Sequence, residues 1–168
     1  MNQTGTKISI DDLITLMGTL ETIHGDLAGL MQRNVEAMRR ADVEGLTELG
    51  AKEIALTQRL RERDAMRRQV LERIGKSLGL NAARARTLTV SQLTMHLDGP
   101  QRTKLMAAAR KLRTEVFRSA RTNRIAGAIA REVLEHMRWV FASVRRLGQE
   151  GNEYGGGRME HRILDAVG

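Results

Sequence analysis

Apolar side chains recur every three or four residues over most of this chain, and the places where that rhythm stops divide it into elements. The first run is Ile10, Leu13, Met17, Leu20, Ile23 (or His24), Leu27, Leu30 (or Met31), Val35 and Met38. Such steps, held this long, predict a helix with one apolar stripe, the seam of a coiled coil. Ser9 offers a capping hydroxyl and Asp12 a carboxylate in the first turn, where the helix dipole favours it. The helix is therefore placed over about residues 10–40. Asp42 is placed to cap a second helix over 43–78, whose stripe runs Val43, Leu46, Leu49, Leu56, Leu60, Met66, Val70, Ile74 and Leu78. Gly79 follows as a natural C-cap. So short a link between the two implies an antiparallel hairpin.

Residues 80–99 read as a connector. Within it Thr89 and Gln92 have the spacing of a capping box, which predicts a short helix over 90–97. Asp98-Gly99-Pro100 restarts the chain, with Pro100 suited to a first helical turn. The third helix, over 101–147, has the longest stripe: Leu105, Ala109, Leu112, Val116, Ser119, Asn123, Ala126, Ala130, Val133, Met137, Val140, Val144 and Leu147. From Arg102 to Leu147 it would reach about 69 Å, against about 46 Å for Ile10–Arg40, at 1.5 Å per residue. The first two helices cannot cover all of it. Part of its seam is therefore exposed, bent, or covered by another molecule. After Leu147, Gly148, Gly151 and Gly155–Gly157 break the pattern, so residues 148–168 are expected to form a mobile tail. The fold expected is all-α: an elongated antiparallel three-helix bundle or coiled coil, one helical domain over 1–147, with a flexible C-terminal tail.

Composition agrees with a helical chain. Aromatic residues are 2% of the 168, and there is one proline. A sheet-based core would draw on many more aromatic and β-branched side chains. The net charge of +8 is concentrated in residues 81–147, where basic side chains outnumber acidic ones 14 to 4. That asymmetry favours an acidic partner or nucleic acid. Arg110, Lys111, Arg113, Arg118, Arg121, Arg124, Arg131, Arg138, Arg145 and Arg146 form the basic face, but no aromatic stacking platform or recognised nucleic-acid motif accompanies them. A solvated charged face is the stronger reading of it.

Little in the chain points to catalysis. There is no cysteine, which excludes disulfides, thiolate-bound metal and thiol chemistry. Of the four histidines, His24 makes one Glu-x-x-His step with Glu21, and di-iron bundles need that step in pairs. His24 is read as a seam-edge side chain, and Glu132 with His136 as a surface pair one turn apart. No cofactor, metal site or enzymatic reaction is expected. No apolar run approaches the roughly 18 residues of a membrane span, and no signal peptide is visible, so a cytoplasmic location is expected. On the third helix Asn123 stands alone on the apolar seam, where a polar residue fixes register at some cost in stability.

The order of these parts resembles the FlgN-type flagellar export chaperones. The resemblance rests on a helical hairpin, then a Leu-Thr-x-x-x-Leu stretch (Leu88, Thr89, Leu93), then Asn123-Arg124 within a long helix, then Tyr-Gly-x-Gly at Tyr154, Gly155, Gly156 and Gly157. It implies a protein that binds newly made hook–filament junction proteins by their terminal helices and delivers them to the flagellar type III export gate. The uncovered end of the third helix supplies one half of a groove for such a helix, and nine methionines suit an adaptable surface. On this reading Val133, Met137, Val140, Phe141, Val144 and Leu147 contact the client, and Tyr154, Gly155 and Gly157 dock on the export gate or its ATPase. A basic helical nucleic-acid-binding protein and a structural coiled-coil oligomer remain the alternatives.

Overall fold

The computed structural model describes the backbone of residues 3–155 and the side-chain surroundings of residues 10–146. Among them every regular element is helical: α1 Gln3–Arg39, α2 Val43–Ser77, α3 Ala82–Arg86, α4 Val90–Thr94 and α5 Gly99–Gly155. The described residues divide into two units that meet between Gly127 and Ala128, where a single helical domain over 1–147 was expected. The division falls inside α5, one residue after Ala126, its last buried position among the described residues.

In the first unit α1, α2 and the first half of α5 form a three-helix bundle. Ile10, Leu13 and Met17 near the start of α1 pack with Val70, Leu71 and Ile74 near the end of α2 and with Leu105 near the start of α5. Leu30, Met31 and Ala37 near the end of α1 pack with Leu49 near the start of α2 and with Ala126 of α5. The hairpin is thus antiparallel, and α5 runs back alongside α1 in the same direction. Asp42 caps α2 as expected, accepting from the Gly45 amide at 2.8 Å.

The connector closes one end of this bundle. Leu88, Leu93 and Leu97 bury their side chains in the same core as Ile10 and Leu105. Thr89 and Gln92 form both arms of the capping box: the Gln92 amide donates to Thr89 Oγ1 (3.2 Å) and the Thr89 amide to Gln92 Oε1 (2.9 Å). α4 ends at Thr94 rather than near residue 97. The additional helix α3 is capped by Asn81, whose Oδ1 accepts from the Arg84 amide. It lies close against α2 because Gly75 has no side chain: a Cβ there would stand 2.4 Å from Ala85 Cβ. Gly79, at φ +77°, makes the turn between α2 and α3, a backbone shape that disfavours other residues.

Two boundaries of the long helices differ from expectation. α1 begins at Gln3, seven residues before Ile10. α5 continues to Gly155, so residues 148–155, expected to open the tail, are helical. Gly148 and Gly151 each cost about 1 kcal/mol of helix propensity, which is not enough to end a helix that no capping sequence stops.

Candidate functional site

In the second unit α5 carries a continuous row of apolar side chains. At about 100° per residue, Val133, Met137, Val140 and Val144 fall within an arc of about 60°, and Phe141 and Leu134 widen it to about 120°. Val133 is half-buried; Leu134, Met137, Val140, Phe141 and Val144 are exposed, Phe141 by 67%. Placing five large apolar side chains on one exposed face withholds from water-driven burial several times the roughly 1.5–3 kcal/mol each could contribute. A contiguous patch of this kind marks an interaction surface.

Arg131, Arg138 and Arg145, seven residues apart, form an exposed row along the Phe141 edge of the stripe. Trp139 lies off the stripe, 65% exposed, with its ring stacked on His136 at 6.2 Å between centroids. His136 was expected to pair with Glu132; its ring is instead set against Trp139. Of the remaining residues expected at the site, the Leu147 side chain lies outside the described surroundings. Tyr154 and Gly155 are the last two residues of α5, the Tyr154 side chain lies outside the description, and Gly157 lies wholly outside it.

Asn123 does not hold the seam. It is exposed, and among the described residues of α5 the buried polar one is Ser119, one turn earlier. The line facing the bundle runs through Leu112, Ser119, Thr122 and Ala126, so the step after Ser119 is three residues rather than four, which turns Asn123 outward. Thr122 fits this line because its hydroxyl donates back to the Arg118 and Ser119 carbonyls at 3.0 Å.

Ser119 Oγ lies 2.9 Å from His24 Nδ1 of α1, a polar contact between apolar stretches of the bundle. The His24 pKa is lowered, chiefly because burial penalises the charged ring, with the nearby Glu115 carboxylate opposing that effect. A second polar stretch lies on α2. Asp64 and Arg67 occupy its inward line between Leu60 and Leu71, while Met66 is exposed. Asp64 binds Arg67 Nη2 at 2.8 Å and Arg68 Nη2 at 2.6 Å. Burial works to raise the Asp64 pKa, but the hydrogen bonds and charges of Arg67 and Arg68 outweigh it and leave the carboxyl below its ordinary value. These residues border a groove of about 680 Å³ with Met17, Leu20, Leu60 and Leu112.

The ten basic residues singled out on α5 are all exposed. Among the described residues only Arg118 has a carboxylate partner, Glu115 at 3.5 Å. No described helix is long and apolar enough to cross a membrane. A family model described as FlgN protein matches residues 1–161. Comparison with curated proteins and with solved structures returned no match.

Proposed function

The chain belongs to the FlgN family, and from that premise we propose that it is a cytoplasmic export chaperone. It binds hook–filament junction proteins by their terminal helices and escorts them to the type III export gate, catalysing no reaction. The observation that carries this reading is the exposed stripe from Val133 to Val144. An amphipathic helix laid along it would bury its own apolar face while keeping every backbone hydrogen bond internal. Met137 gives the stripe a flexible thioether that adapts to clients of different shape, and the Arg131, Arg138 and Arg145 row suits carboxylates at the client's edge.

Tyr154, Gly155 and Gly157 have a separate role in this proposal, docking the loaded chaperone on the gate. Tyr154→Ala should then reduce delivery of the client while leaving client affinity unchanged. Secretion of hook–filament junction proteins, measured beside in vitro affinity, checks it; equal losses in both would assign Tyr154 to client binding instead. For the stripe, the experiment is calorimetric titration of the full chain with a client's terminal-helix peptide. Val140→Asp should weaken binding by about tenfold or more, since a buried carboxylate costs over 1.4 kcal/mol, while the melting temperature stays unchanged.

A further inference from the structure

A second groove, of about 600 Å³, lies in the first unit between α4 and the start of α5. Val90, Thr94 and Met95 form one wall, and Met106, Ala109 and Arg110 the other. We propose that this groove docks an acidic amphipathic helix of about fifteen residues from a partner protein, separately from the client stripe at Val133–Val144.

The surface is apolar where contact would be made. Met95 on one wall is 77% exposed, Met106 on the other is exposed, and Phe117, one turn beyond the groove along α5, is 62% exposed. Arg102, Met106, Arg110, Arg113 and Phe117 follow one another at steps of four, four, three and four, so they share one stripe of α5. The stripe is about 22 Å long at 1.5 Å per residue, which sets the length of the occupant at four turns.

The charge on this groove has one sign. Three arginines, Arg102, Arg110 and Arg113, line it, and no carboxylate does. Arg102 donates to the Thr94 carbonyl (3.0 Å) and the Leu97 carbonyl (3.3 Å), which holds the two walls together before anything binds. Arg113 lies over the Phe117 ring at 5.4 Å. Among the described residues neither Arg110 nor Arg113 has a carboxylate partner, so acidic side chains of an occupant would meet cations that no internal pair neutralises.

Both walls are helical, so they offer no strand edge to pair with an extended peptide. A helix brings its own backbone bonds satisfied. A nucleic-acid backbone would take the arginines but leave Val90, Met95 and Met106 facing hydrated phosphates without gain. Exposed thioethers beside unpaired arginines favour a protein helix with leucine-like residues on one face and carboxylates on its flank.

The test is fluorescence anisotropy with the full chain and a labelled 16-residue peptide, with Leu at positions i, i+4, i+7 and i+11 and Glu on the flanks. A twin peptide carries Lys for every Glu. The Glu peptide should bind at least about tenfold more tightly than the Lys peptide. Arg110→Glu with Arg113→Glu should weaken it by about tenfold or more at unchanged melting temperature. Met95→Ser, at an exposed position, should weaken it without reference to charge, and Val140→Asp should leave it unchanged. Equal affinity for the two peptides overturns the proposal. So does loss of binding only on Val140→Asp, which would place the peptide on the client stripe, or displacement by an equal concentration of a 16-base-pair DNA duplex. The client reading stands or falls on other variants, so failure of either leaves the other intact.

Discussion

Ser119 and His24 show how far a single polar pair can be read from sequence. Both stood on apolar stripes, and His24 was placed at a seam edge, yet the polar seam residue expected on α5 was Asn123. A stripe of small residues such as Ser119, Ala126 and Ala130 gives little contrast between steps of three and four, so the sequence pattern could not decide which polar residue turned inward. His24, whose pKa is lowered by burial, titrates in the folded chain below its ordinary value of 6.5. The unfolded chain therefore takes up that proton first as pH falls, and the stability it contributes is present above the unfolded value and lost as pH falls from there through the lower folded value. The melting temperature should fall between pH 7.5 and 5.5 more steeply for the wild type than for His24→Gln; parallel profiles would contradict this. Ser119→Ala should cost on the order of 1 kcal/mol, the worth of one hydrogen bond. At Gly75 the reason for glycine is contact, invisible without α3: Gly75→Ala would drive a methyl into Ala85, and a loss of about 1–3 kcal/mol in denaturant unfolding is expected.

At the scale of elements, strong periodicity was a sound guide to where helices exist and a weaker one to which face they bury. α1, α2 and α5, the capping box at Thr89 and the cap at Asp42 were all legible, because each depends on neighbours within a few residues. α3 was not, because its five residues, Ala82–Arg86, hold no periodic pattern and pack on α2 where Gly75 lets them come close. On α2 the apolar choice at Met66 masked the true inward line, which passes through Asp64 and Arg67. That line is tolerable only because the carboxylate is paired, and Asp64, with its pKa lowered, contributes stability above the ordinary carboxylate range that is lost as pH falls through its folded value. The last helix behaves differently from the others. Among the described residues its buried positions stop at Ala126, and removal of residues 148–168 should leave the melting temperature within a few degrees of the full chain. A large drop on calorimetric scanning would show that this segment supports the core.

The whole molecule joins a closed apolar core in one unit to an open apolar face in the other. Leu105, Leu93, Ile10 and Ile74 are fully buried in the first, whereas Leu134, Phe141 and Val144 of the second are more than half exposed. A structural coiled coil would be expected to bury such a stripe in copies of itself, and a nucleic-acid-binding protein would lose affinity steeply with salt. A chaperone leaves the stripe for a client, whose grip, resting mainly on apolar burial with the arginine row only at its edge, should fall far less steeply with salt than a nucleic acid's. That contrast in charge dependence separates the readings at the level of the complete chain. That the end of α5 carries an exposed apolar stripe was legible in the sequence from helix length, since two shorter helices could not cover the third. The groove beside α4 was not, because it depends on a connector folding back on α5 through Arg102. The measurement that tests the account most directly is titration of the full chain with the terminal helix of a hook–filament junction protein, comparing wild type with Val140→Asp and Phe141→Asp. Loss of affinity by about tenfold or more in folded variants, with far less dependence on salt than a nucleic acid would show, is the expected result. Unchanged affinity in variants with the wild-type melting temperature would contradict it.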